Sequence, residues 1–328
     1  MLQMISLPLY SGSLAEYKKW DELRCELQSL NCDGIEASWG GEPLPANVPS
    51  DLVIGYHLLF YPDWLDFYRE DQQALLRKFS SIETVKSFYG GLGRDTLLEQ
   101  YRADLERAVS LGARYVVFHV SDVSLEEGYT YKWLHSNREV IDASVEIINT
   151  LLDGRDWPFE FLVENQWWPG FTFTDPRETE YLLDGIHFHR KGILLDTGHL
   201  MNTCTQLRTQ KDGVSYIRAI LDRHGSLVNE IRGIHLHQSL SGAYVESQMG
   251  ILPPNLPEDY FERYRLNYSH ILKVDQHRPW TDPAICPVIE QIKPKYLTHE
   301  LSASGRDIRL KAVKQQLKTL STKGKELQ

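Results

Sequence analysis

Residues 97–120 read LLEQYRADLERAVSLGARYVVFHV, and the order of their parts decides the fold. Leu98, Tyr101, Leu105, Ala108 and Val109 recur at helical spacing, so a helix over 97–111 has one apolar face, and Gly112 stops it. Tyr115–Val120 then follows as a run of β-branched and aromatic residues with no polar alternation. That is the pattern of a strand buried on both faces of a parallel sheet. At the end of this run stands a histidine, His119.

The same unit recurs along the chain. Apolar runs fall at Met4–Leu9, Gly34–Ala37, Leu52–His57, Tyr115–Val120, Phe159–Glu164, Gly192–Asp196, Gly233–Leu236 and Tyr296–Glu300, with amphipathic stretches such as Asn137–Leu152 between them. Eight such strands separated by helices predict an α/β fold, a (β/α)8 TIM barrel. An open doubly wound sheet is the rival, but no G-x-G-x-x-G follows the first strand and there is no P-loop. A length of 328 residues suits one barrel of roughly 250 residues with insertions, read here as a single domain over 1–328 with a frayed end at about 319–328. Two connections, around 61–96 and 238–294, are long enough to serve as lids or binding loops over the C-terminal mouth.

Composition narrows the class. With 42% hydrophobic and 24% charged residues the chain buries a core, which excludes disorder and coiled coil. No apolar run approaches the roughly 18 residues of a membrane span, and the N-terminus lacks a basic region followed by an apolar one. Cys25, Cys32, Cys204 and Cys286 show no C-x-x-C spacing, so neither a zinc knuckle nor a disulfide framework is expected, and a reducing cytoplasm is the default. A net charge of −10 argues weakly against a nucleic acid as partner.

The strand ends carry the functional signal. They read Ile-Gly-Tyr-His57, Val-Val-Phe-His119, Phe-Leu-Val-Glu164, Ile-Leu-Leu-Asp196-Thr-Gly-His199, Gly-Ile-His235-Leu-His237 and Leu-Thr-His299-Glu300; the loop before the eighth strand adds Asp275-Gln-His277. In a barrel these positions converge on one mouth. A lone histidine is more often a satisfied core residue than a ligand, but donors at six successive strand ends are rarely accidental. Several carboxylates buried together are costly unless a cation offsets them. Imidazole plus carboxylate without thiolate suits zinc, manganese or iron in a catalytic site.

These residues carry a resemblance to the xylose isomerase-like TIM-barrel superfamily, the AP endonuclease family 2 fold, over almost all of the chain. By the superfamily's four-ligand motif the metal ligands are Glu164, Asp196, His235 and Glu300. His235-Leu-His237-Gln238 resembles its His-Leu-x-Asp, with Gln238 in place of the acidic residue. The resemblance to endonuclease IV, which binds three zinc ions, adds His57, His119, His199 of an Asp-x-x-His motif, and Asp275 and His277 of a stretch similar to Val-Asp-Arg-His. For Asp275 and His277 a plain surface turn is the competing reading. Against this, Asp33-Gly-Ile-Glu36 resembles the second strand of the sugar isomerase and epimerase branch, and the first strand does not match the endonuclease pattern.

Two activities follow from the resemblance. In the first, up to three zinc ions support hydrolysis of a phosphoester, with Glu164 bridging two of them and DNA disfavoured as substrate. In the second, one ion, zinc or manganese, supports a sugar or sugar-phosphate isomerase or epimerase with Glu164 and Glu300 as its acid/base pair. Glu36, Trp39, Phe60, Trp167, His237 and Arg278 are the expected substrate-binding residues; Trp64 and Trp168 are further candidate walls, and rim packing is the alternative for these aromatics. Binding without turnover is the third hypothesis, and the complete pair of core glutamates speaks against it.

Overall fold

The computed structural model describes residues 1–45, 47–302 and 304–321. Eight parallel strands close into a barrel in chain order: β1 (Leu2–Leu9), β2 (Gly34–Trp39), β3 (Val53–His57), β4 (Tyr115–His119), β5 (Glu160–Glu164), β6 (Lys191–Asp196), β7 (Ile231–His235) and β8 (Tyr296–His299). All eight expected runs are strands, with no end displaced by more than two residues. β1 pairs with β8 through Ile5 and His299, which closes the ring.

Two layers of core hold this arrangement. Met4, Ile54, Tyr115, Val117, Leu162, Leu194 and Tyr296 form a cluster of their own, contributed by six of the strands. A larger cluster joins the other strand residues to the helices, including Val116, Phe118, Phe161 and Val163. Burying one such Val, Leu or Phe side chain stabilises a fold by roughly 1.5–3 kcal/mol. Both faces of β4 are covered, which explains its uninterrupted apolar run.

Helix ends follow local chemistry. Asn137–Leu152 is a helix as expected, started by a capping box in which Ser136 and Glu139 satisfy each other's backbone amides. The helix leading into β4 spans Arg94–Ser110, three residues earlier than the periodicity indicated, because Gly93 rather than the first leucine serves as its cap. The last helix covers Arg306–Ser321; the expected frayed end lies almost wholly outside the described residues.

The two long connections are not irregular loops. The first holds helices at Leu65–Tyr68, Gln72–Phe79 and Ile82–Tyr89, the last two capped by the side chains of Asp71 and Ser81. The second holds Gly242–Gln248 and the longer Tyr260–Val274, capped by Asp259. Among the described residues no helix is long and apolar enough to cross a membrane.

Candidate metal centre

Strand register sets the site. His119 at the end of β4 lies beside Glu164 at the end of β5, and Asp196 at the end of β6 lies beside His235 at the end of β7. His57 ends β3, and Glu300 follows β8. Asp196 also begins the helix Thr197–Asn202: its Oδ1 accepts from the backbone N–H of His199 at 2.6 Å, which fixes the His199 backbone and leaves Oδ2 facing the barrel mouth. Asp275 and His277 arrive from the end of helix Tyr260–Val274. His277 has a left-handed backbone (φ 44°), held by reciprocal backbone bonds between Gln238 and Arg278. Strain of this kind persists where the surroundings over-determine it.

The donor atoms gather in three groups, two of which share Glu164, while the third approaches it through His199. In the first, His57 Nε2, His119 Nε2 and Glu164 Oε2 lie 2.9–3.3 Å apart. In the second, His235 Nδ1 lies 2.8 Å from Glu300 Oε2, 3.3 Å from Glu164 Oε1 and 3.7 Å from Asp196 Oδ2. In the third, Asp275 Oδ2 lies 3.3 Å from His199 Nε2 and 2.5 Å from His277 Nε2, and His237 is the fourth member.

Four of the five candidate ligand histidines are held by their other nitrogen. His57 Nδ1–H donates to the Leu58 carbonyl at 2.9 Å, His199 Nδ1–H to that of Asn165 at 3.0 Å, and His277 Nδ1–H to that of Glu300 at 3.1 Å. His235 Nε2 meets Glu36 Oε1 at 2.8 Å. A carbonyl or carboxylate behind a ligating imidazole fixes its tautomer and aims the free nitrogen at the ion.

The donor set fits divalent cations. Glu164 Oε1, His235 Nδ1 and Glu300 Oε2 are buried and make no hydrogen bond, although they approach one another closely. Buried polar atoms without partners are expensive, and atoms that face a common point rather than each other suit an ion between them. Burial alone would raise the Glu164 and Asp275 carboxyls, but neighbouring imidazoles overcome it and hold both well below the usual carboxylate range. Burial would likewise lower His277, yet Asp275 and Glu300 push it up to about 10. The carboxylates thus hold protons on the imidazoles, and a divalent ion would take the place of those protons.

Above these groups opens a cleft of about 270 Å³. Its floor includes His57, His119, His199, Asp275, His277 and Glu300, and its walls include Phe60, Trp167, Trp168 and one face of helix Tyr260–Val274. Gly170 brings the tryptophan loop onto the exit of β4: with φ 127°, a Cβ there would fall 2.2 Å from the Val120 carbonyl oxygen.

The structure brings all nine candidate metal ligands together. Of the six expected substrate-binding residues, Phe60 and Trp167 line the cleft. Glu36 does not: its carboxylate is buried behind His235 and accepts from Tyr115 Oη at 2.6 Å and Thr298 Oγ1 at 3.0 Å, so it supports a ligand. His237 is fully buried against Asp196. Trp39 donates its indole N–H to the Glu42 carbonyl and carries the Arg107 guanidinium on its ring, and Arg278 is exposed; neither lines the cleft. Trp64 packs in the core with its N–H on the Ser121 carbonyl, whereas Trp168 lines the cleft. Not foreseen as walls were Tyr260, Tyr264, Tyr268 and Leu272, whose spacing of four residues marks one face of a helix.

Comparison with known proteins agrees with this architecture. A search of curated proteins finds no match. Among solved structures, endonuclease IV from Thermus thermophilus superposes with a TM-score of 0.52 at 14% identity, covering 98% of this chain and 99% of its own. A D-tagatose 3-epimerase-like protein gives 0.51 at 14%, covering 99% and 100%. The IolI protein with a bound zinc atom gives 0.50 at 11%, covering 99% and 97%. At such identities the likeness is one of fold. The family model described as xylose isomerase-like TIM barrel matches residues 26–282, and with the closed eight-stranded barrel this places the chain in the xylose isomerase-like TIM barrel family.

Proposed function

We propose that this protein is a metal-dependent hydrolase of a small phosphoester, with a multinuclear zinc-type centre held by His57, His119, Glu164, Asp196, His199, His235, Asp275, His277 and Glu300. The observation that carries the reading is the position of Glu164, whose Oε2 faces His57 and His119 while its Oε1 faces His199 and His235. One carboxylate shared between donor groups is what a bridging ligand requires. Clustered divalent ions polarise a phosphoryl group and make water a competent nucleophile near neutral pH.

The chain's own residues bind and orient. Glu36 fixes the His235 ring, the backbone carbonyls of Leu58, Asn165 and Glu300 fix three more, and the aromatic walls limit water around a bound ester. Among the described residues no cysteine belongs to the donor groups, and Ser239 Oγ–H, beside them, donates to Asp275 Oδ1 at 3.2 Å; with water as the nucleophile the reading needs no covalent step.

A one-metal sugar isomerase or epimerase is the second reading, favoured by one feature: Glu164, Asp196, His235 and Glu300 form a complete four-donor group without the other five residues. Metal content per chain, measured on protein purified without chelator, separates the two. Two or three zinc equivalents together with phosphoester turnover support the hydrolase; one equivalent supports the isomerase; none retained after adding metal overturns both.

A further inference from the structure

The cleft combines two chemistries. Its floor is the donor cluster; its walls are Phe60, Trp167, Trp168 and the helix face of Tyr264, Tyr268 and Leu272. Among the described residues that line it there is no lysine or arginine. A nucleic-acid backbone, or a sugar phosphate held by a phosphate remote from the metals, would want such cations. The walls are mainly apolar, and they offer a polyol, which needs a hydrogen-bond partner for each hydroxyl, few groups beyond the hydroxyls of Tyr264 and Tyr268. The wall amide of Asn267 already donates to the Leu125 carbonyl at 2.9 Å. Two indole donors are unspent: the Trp167 and Trp168 N–H groups are buried, have no partner and belong to cleft-lining residues. The volume of about 270 Å³ is at the small end for ligand sites.

We propose that the substrate is a small anion carrying a flat aromatic body of one or two rings, its anionic head on the donor cluster and its ring between the Trp167–Trp168 loop and helix Tyr260–Val274. The metal-bound head rests on the hydrolase reading; the aromatic body rests on the walls. Stacking on aromatic faces supplies affinity without any charged wall residue.

Binding tests this apart from turnover. Calorimetric titration of the zinc-loaded protein with phenylphosphonate and with methylphosphonate should show the aromatic ligand bound at least 10-fold more tightly. Trp168→Ala should reduce that ratio several-fold, and so should Tyr268→Ala, at an exposed position whose truncation spares the fold. Equal affinities, or no binding of either, overturn the proposal. If phenylphosphonate is preferred but no phosphoester turns over, the hydrolase reading falls and the cleft assignment stands. If esters turn over with no preference for aromatic ones, the cleft assignment falls and the hydrolase reading stands.

Discussion

The imidazole of His237 lies face to face with that of His277, their centroids 4.0 Å apart and their planes within 6° of parallel. An imidazole nitrogen binds a metal in the plane of its ring. Rings stacked at this distance cannot both present in-plane lone pairs to one ion, so at most one of the pair can ligate a given ion. His277 has its Nδ1–H anchored on the Glu300 carbonyl and its Nε2 facing Asp275, the arrangement of a candidate ligand. His237 Nε2–H instead donates to Asp196 Oδ2 at 2.7 Å. It therefore positions groups in two donor clusters, by a bond to one and by stacking on the other.

His237→Ala should accordingly keep the wild-type number of ions at zinc saturation but hold them roughly 10–100-fold more weakly, the usual cost of losing a residue that orients a ligand. Elemental analysis after saturation, with chelator competition for affinity, checks both halves. One ion fewer at saturation would make His237 a ligand.

Gly198 makes room for this ring. A Cβ at that position would fall 2.0 Å from His237 Cε1 and 2.3 Å from Nδ1. Both residues are buried, so Gly198→Ala should destabilise by about 1–3 kcal/mol through overpacking. In a His237→Ala background the same substitution should cost almost nothing, giving a coupling well above the roughly 0.3–0.5 kcal/mol within which independent sites add. Denaturant unfolding of the four proteins measures it; additive costs would mean that the strain is relieved elsewhere.

Glu164→Gln and His277→Ala separate the two enzyme readings. Removing the Glu164 charge touches donors on both sides of the carboxylate, so zinc content and turnover should both collapse in either reading, with the circular dichroism spectrum unchanged. His277→Ala leaves the third group with His199, His237 and Asp275. A multinuclear hydrolase should then lose one zinc equivalent and on the order of 10–100-fold in activity, whereas a one-metal isomerase should keep its ion.

Much of this centre was legible in the sequence because a strand buried on both faces is an uninterrupted apolar run, and a donor at its end stands out. What the run cannot show is which way each end residue turns. His235 and His237 are two residues apart, yet one faces the donor cluster and the other stands behind Asp196. His299 and Glu300 are adjacent, yet His299 turns to Gln316 of the last helix and burial lowers it to about 4, while Glu300 enters the centre. Glu36 shows the same limit: its motif was visible, but only the register of β2 reveals that its carboxylate backs a histidine rather than meeting substrate. The helices of the long connections were hidden because the Pro253, Pro254 and Pro257 and Gly90, Gly91 and Gly93 of these stretches read as loop, and the capping roles of Asp71, Ser81 and Asp259 went unread.

A pH effect should come from a buried charge cluster beside the cleft. Lys78 lies 2.7 Å from both Asp63 and Asp66, and His135 Nε2 lies 3.2 Å from Asp66 and 3.9 Å from Asp122. The Asp66 carboxylate raises the His135 pKa above its ordinary value, with Asp122 adding to it and burial and Lys78 opposing. A histidine raised in the folded state contributes stability that is fully present below its unfolded pKa of about 6.5 and is lost as pH rises through the folded value. The gap in melting temperature between wild type and His135→Asn should therefore be largest near pH 6 and shrink by pH 9. For a contribution on the order of 1 kcal/mol the gap at pH 6 should be about 1–2 °C, since midpoint shifts per kcal/mol fall with chain length. Both proteins keep the same metal ligands, so the difference between their melting curves removes the metal centre's own pH dependence. A gap constant from pH 6 to pH 9 would show that Asp66 is balanced by Lys78 alone.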